Sequence, residues 1–213
     1  MHSANSVRRH AMKDLVLSRR QLLKGAGAVG VLGAVGIPAT AFAEDGGVDL
    51  LRWDLVQFLQ GTALAGGTNQ ATDEATGDVV TLSGSGHAEP KKKRATGGGT
   101  FVHRHADGTE VAHGIYRVTS FQSWTPAGGN LAPAGAKDGI GTLEQTTGGL
   151  LVLHIAVLPA AGGMVEAVLG VDCALPGVRF PIEEGAHLDV LNFHFKQSGG
   201  FTLFHVLRGG HGE

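Results

Sequence analysis

The chain carries 213 residues, with 17 Lys and Arg against 19 Asp and Glu, 35 Gly and one Cys. A lone cysteine excludes an internal disulfide, so the fold must rest on a packed core. The glycines follow no fixed period, which excludes collagen and solenoid architectures, and a chain that is not basic overall disfavours general nucleic-acid binding.

At the start of the chain, Ser18-Arg19-Arg20-Gln21-Leu22-Leu23-Lys24 resembles the twin-arginine translocation signal S-R-R-x-F-L-K, with Leu22 where Phe is usual. A weakly apolar, glycine-rich run from Gly25 to Ile37 follows, and then Ala41-Phe42-Ala43, an A-x-A cleavage pattern. A membrane anchor would need about 18–20 strongly apolar residues, and the five glycines in the run argue against one. Residues 1–43 are therefore read as a signal peptide and 44–213 as a single β-rich domain beginning near Glu44. The implied route is translocation by the twin-arginine machinery to the periplasm or the extracellular space. That machinery carries folded proteins, which suits a cofactor loaded in the cytoplasm without requiring one. Setting 1–43 aside removes six basic residues and one acidic one, leaving 11 against 18 and a formal charge of −7.

Leu51 to Leu59 reads as a first strand, with an amphipathic helix as the alternative because Leu51, Leu55, Phe58 and Leu59 also fit a 3.6-residue period. Thr62 to Asp78 is small and polar and holds at most one weakly patterned strand. Asp78 to Gly86 is a strand running into small residues. Glu89 to Arg94, EPKKKR, is a charged loop that suggests an anionic partner such as a cell-surface polymer, or simply a solvated hairpin turn.

Gly97 to Trp124 forms the central hairpin. Phe101, His103 and His105 share one strand face. If Asp107-Gly108 is a two-residue loop, His103 pairs with Ala112, and Glu110 lies opposite His105. If Ala106-Asp107-Gly108 is a three-residue loop with Gly108 left-handed, His105 pairs with Thr109 and His103 with Val111. His113 then lies diagonal to His103 on the same face, roughly 7–8 Å away. The second turn is preferred, because type I turns accept most residues before a left-handed Gly. His103 and His105 with either Glu110 or His113 are thus the candidate ligands for a divalent transition metal.

Thr125 to Asp138 is a Pro/Gly/Ala loop. Gly149 to Leu158 is a continuous apolar run, expected to be buried on both faces with His154 a satisfied interior histidine. Met164 to Ala174 is a strand in which Cys173 reads as inert core. His187 to Phe195 and Phe201 to Leu207 read as two final strands around a turn at Gln197-Ser198-Gly199-Gly200, before a frayed tail from Arg208 to Glu213. Eight or nine strands with little helix make an all-β antiparallel barrel or sandwich, and closure protects the apolar edges.

Two resemblances follow from these segments. Arg52-Trp53-Asp54, Thr81-Leu82-Ser83-Gly84-Ser85-Gly86, Gly97-Gly98-Gly99-Thr100, Gly114-Ile115-Tyr116, Val171-Asp172-Cys173 and Glu184-Gly185 resemble the segments of a set of exported bacterial β-proteins of unassigned function. That resemblance implies a fold and carries no functional residue. Gly97, His103, His105 and Glu110 also fit the first cupin motif, G-x5-H-x-H-x3,4-E-x6-G, although its closing Gly falls on Arg117. Pro181, Gly185, His187 and Asn192 follow the order of the second motif with different gaps. The cupin resemblance implies a metal held by two histidines and a glutamate, and needs the two-residue turn.

No catalytic constellation stands out, and Gly84-Ser85-Gly86 lacks the context of a nucleophile elbow. The sequence therefore leads to an exported, non-enzymatic domain that binds a small apolar ligand or an envelope component. A metal-binding protein or metal-dependent enzyme, and a barrel cyclase or isomerase acting by shape on an apolar substrate, are the alternatives.

Overall fold

A computed structural model describes residues 48–207. The signal peptide, its cleavage pattern and the tail from Arg208 lie outside the described residues. Twelve strands form one sheet: β1 (Leu50–Leu59), β2 (Thr62–Ala65), β3 (Thr68–Asp73), β4 (Val79–Glu89), β5 (Arg94–Arg104), β6 (Glu110–Gly128), β7 (Lys137–Asp138), β8 (Thr146–Pro159), β9 (Val165–Cys173), β10 (Gly185–Val190), β11 (Phe193–Gly199) and β12 (Phe201–Leu207). Every pairing is antiparallel except the short β2–β7 contact.

The sheet closes on itself because two long strands each change partner along one edge. β4 keeps β5 along its whole length, while its other edge pairs with β3 over Val79–Ser83 and with β1 over Ser85–Ala88. β8 keeps β6 on one edge and pairs on the other with β9 over Gly149–Val157 and with β12 at Thr146–Thr147. One circuit runs β8-β6-β5-β4-β3-β11-β10-β9, and the β1–β12 pair bridges β4 to β8 at the opposite end. The result is an all-β barrel with sandwich character, as expected, and it exposes fewer free strand edges than an open sheet.

The strand count exceeds the expected eight or nine for three local reasons. The polar stretch after Gly61 holds two strands, β2 and β3, since its alternate residues Ala63, Asn69, Ala71 and Asp73 are buried despite being small or polar. His187–Phe195 is not one strand: it reverses at Leu191-Asn192, where Leu191 takes a left-handed φ of 53° with no glycine to announce it. Lys137–Asp138 adds the short β7. The Gln197–Gly200 segment is also not a hairpin turn, because β11 pairs with β3 and β12 with β1 and β8; the chain there crosses between layers. β6 continues to Gly128, so the following loop is shorter than expected. Leu51–Leu59 is a strand throughout, the helical alternative losing to pairing with β12 and β4.

Side chains fill the centre. The largest fully buried ones include Trp53, Tyr116 and Phe204 with a shell of Leu and Ile. The glycine-rich strands exist to admit the first two. A Cβ on Gly86 or Gly97 would come within 2.8 Å of the Trp53 indole, and one on Gly84 within 2.1 Å of the Tyr116 hydroxyl. Tyr116 Oη donates a hydrogen bond to the Ser83 carbonyl at 3.0 Å. Over the apolar run 149–158, β8 is buried on both faces only at residues 155–157 and alternates before that: Leu151 and Leu153 point inward, whereas His154 is exposed because it faces outward at a position opposite Ser120.

Candidate functional site

The central hairpin resolves its two registers by using both. His105 N–H donates to the Thr109 carbonyl at 2.8 Å and Gly108 N–H to the His105 carbonyl at 2.9 Å, with Gly108 at a left-handed φ of 88°. The tip is therefore the three-residue turn. A bulge then inserts Val111, so Arg104 pairs with Glu110 but His103 pairs with Ala112. Beyond the bulge the strands run in the register of the two-residue alternative.

This splits the four candidate ligands between two faces. Glu110 and His113 join each other on the outer face, at 2.7 Å between Oε1 and Nδ1, with Arg104 3.4 Å from Glu110. His103 and His105 stay on the other face and meet a residue absent from the expected set. Asp78, 4% exposed, receives His103 Nε2–H at 2.9 Å and His105 Nδ1–H at 3.2 Å on the same oxygen, Oδ2. Phe193 and Phe195 pack edge-on against the His103 ring at 5.2 and 5.4 Å, fixing its orientation. Burial works against the Asp78 carboxylate, but the hydrogen bonds from His103 and His105 outweigh it and hold the acid below its ordinary range. Asp78 was read as the start of a strand; it reaches His103 because the β4–β5 ladder brings Val80 opposite His103.

Chemically, this is a carboxylate that orients two imidazoles, one shielded and one open: the His103 side chain is 14% exposed and that of His105 57%. Among the described residues no group of three His, Cys, Asp or Glu side chains already encloses a metal position. Cys173 supplies no nucleophile: burial first, and the Glu184 charge second, push its thiol well above the ordinary range.

Two further His–Asp pairs hold the barrel together. His205 Nε2–H donates to Asp138 Oδ2 at 2.7 Å, and the pair is almost completely buried. Asp138 Oδ1 also accepts the Ile140 and Gly141 N–H groups, so this one carboxylate fastens the Gly128–Gln145 crossing to β12. Asp172 accepts His187 Nδ1–H at 3.2 Å across β9 and β10, which raises the His187 pKa against the opposing effect of burial. Glu184 accepts the Ala174 and Thr202 N–H groups, tying the connection after β9 to β12.

A groove of about 360 Å³ lies beside the β4–β5 turn, at the opposite end of β4 and β5 from Asp78. Its walls carry His87, Glu89, Lys93 and Arg94 together with the hydroxyls of Thr96, Thr119 and Ser120.

The family model for the twin-arginine translocation (TAT) pathway signal sequence matches residues 16–36. No curated protein and no solved structure matches the chain. The chain is an exported β-rich protein that carries a twin-arginine signal.

Proposed function

We propose that the mature domain is a non-enzymatic binding protein of the cell envelope, acting in the periplasm or outside the cell, that recognises its partner on its outer surface. The observation that carries this reading is the filled interior: Trp53, Tyr116, Phe204 and surrounding aliphatic side chains occupy the space in which a carrier or a shape-directed cyclase would hold an apolar ligand. A fluorescent fatty-acid analogue titrated into the native mature protein is expected to show no saturable uptake. Stoichiometric uptake would overturn the reading and restore a carrier or isomerase.

A second reading keeps His103 and His105 as ligands of a divalent transition metal. One observation favours it: a single Asp78 oxygen lies 2.9 and 3.2 Å from one ring nitrogen of each histidine, the spacing of neighbouring donors around a metal. In this reading Asp78 stands in place of Glu110 and His113, which join each other on the outer face. His105, being exposed, would swing inward to complete the site. Elemental analysis of mature protein purified without chelator is expected to show stoichiometric metal that disappears in both Asp78→Ala and His103→Ala/His105→Ala and persists in Glu110→Ala/His113→Ala. Absence of metal from the parent protein, or its persistence in the Asp78 variant, rejects this reading.

A further inference from the structure

We propose that the groove beside the β4–β5 turn binds an anionic sugar polymer of the envelope, with Lys93 and Arg94 as its anion contacts. This rests on the surface-binding reading above and names the partner.

The groove arises from a parting of two strands. The β5–β6 ladder ends at Gly98 opposite Arg117. Beyond it β5 stays with β4 as far as the Glu89–Arg94 pair, while β6 follows β8 through a bulge at Thr119. The gap between them is the trough, and the bulge leaves both Thr119 and Ser120 exposed beside it.

Its charge comes from the turn. Pro90–Lys92 form a single 3-10 turn closed by Lys93 N–H to the Pro90 carbonyl at 3.1 Å, with Lys93 held at a left-handed φ of 51°. This fixed backbone places Lys93 and Arg94, the last two of four consecutive cations, in the groove wall. Lys91 is occupied by Asp49 at 2.7 Å, and Lys92 by Glu89. Lys93 and Arg94 are exposed and have no acidic partner among the described residues. The one carboxylate in the lining, Glu89, is held by Lys92, so two cations without a salt-bridge partner stand on a preorganised turn in a domain of formal charge −7, a local site for an anion rather than part of a general basic surface.

The remaining lining selects the class of anion. Three hydroxyls, from Thr96, Thr119 and Ser120, offer donors and acceptors along the trough, and Leu50 and Ala95 supply a small apolar floor. That mixture matches the alternating hydroxyl and CH surfaces of a sugar chain. A lipid surface would require large apolar side chains beside the lysines, yet none of the exposed ones, Leu59, Val111, Ile115, Met164 and Leu191, lines the groove. Single-stranded nucleic acid would require stacking platforms, and no Phe, Tyr or Trp lines the trough.

The test titrates mature protein against polygalacturonate, dextran sulfate and neutral dextran by calorimetry, with phosphatidylglycerol vesicles and oligothymidylate as separate arms. The two acidic polymers are expected to bind, less tightly as salt is raised, and neutral dextran not to bind. Lys93→Glu/Arg94→Glu, a surface change whose folding is checked by an unaltered Tm, is expected to weaken binding at least about tenfold, as the loss of two charge-assisted hydrogen bonds implies. Lys91→Glu/Lys92→Glu, at cations already paired, should weaken it less. Failure of both acidic polymers to bind, an unchanged affinity in the Lys93/Arg94 variant, or equal affinity for vesicles or oligothymidylate overturns the proposal. If the Lys93/Arg94 variant still sediments with isolated envelopes as the parent does, the groove is rejected while surface binding stands.

Discussion

Trp53→Ala is expected to lower the unfolding free energy by about 3–5 kcal/mol and Tm by roughly 10 °C. The indole is wholly buried and lies where β1 crosses the glycines of β4 and β5. Those glycines cannot refill the space. A Cβ on Gly86 would stand 2.1 Å from the Thr96 carbonyl oxygen and one on Gly97 2.4 Å from that of Ser85, so the backbone blocks any repair by Gly→Ala at either site. The cavity therefore stays open, and the loss should sit at the upper end of the range for aromatic truncations. Met164→Ala, at a side chain that is 63% exposed, is the matched control and should change stability by no more than about 0.5 kcal/mol. Urea midpoints of the two variants beside the parent protein check the difference. A Trp53 variant as stable as the Met164 one would mean that the core is not centred where the packing places it.

Asp138→Ala should destabilise by about 3 kcal/mol, chiefly because it strands the His205 ring, which is 1% exposed and has no access to water. The His205 ring loses its one hydrogen bond while its Nδ1 is already unpartnered, and the Ile140 and Gly141 N–H groups lose their acceptor. The effect has a pH signature. Burial opposes the Asp138 carboxylate, but the His205 and backbone hydrogen bonds prevail and depress its pKa below 3.8. A depressed acid contributes stability that is fully present above the unfolded pKa and is lost as pH falls through the folded one. The gap between parent and variant should accordingly be constant from neutrality down to about pH 4 and close below it. Chemical denaturation at stepped pH measures this directly, and a gap that persists unchanged well below pH 3 would remove Asp138 as the origin of the stabilisation.

What the sequence disclosed follows from the range of its signals. The hairpin tip was legible because Asp107-Gly108 is a local turn signal, and the three-residue turn forms. The bulge at Val111 was not, since nothing in Glu110-Val111-Ala112 marks which residue the β5 ladder will skip. The three-residue tip turns Glu110 outward, and that single insertion then turns His113 away from His103. Asp78 was hidden for a different reason: its partnership with His103 and His105 spans 25 and 27 residues and depends on the β4–β5 register. The reversal at Leu191 had no glycine to announce it, and β3 had no apolar alternation, because Asn69 and Asp73 are buried by hydrogen bonding rather than by hydrophobicity. Asn69 donates to the Phe201 carbonyl, and Asp73 accepts the His194 N–H. By contrast, the segments around Trp53, Gly84, Gly97, Tyr116, Cys173 and Glu184 were visible as short patterns, and each serves packing or backbone pairing in the barrel. They record architecture, which is why they pointed to a fold without pointing to a chemistry.

The central claim is that the exported domain meets its partner on its surface, in the envelope. Co-sedimentation of the mature protein with washed envelopes isolated from the producing cells tests it most directly. The expected result is saturable sedimentation that survives delipidation of the envelopes and is released by high salt. Protein that remains in the supernatant at every envelope concentration, under conditions where its Tm shows it to be folded, would contradict the claim.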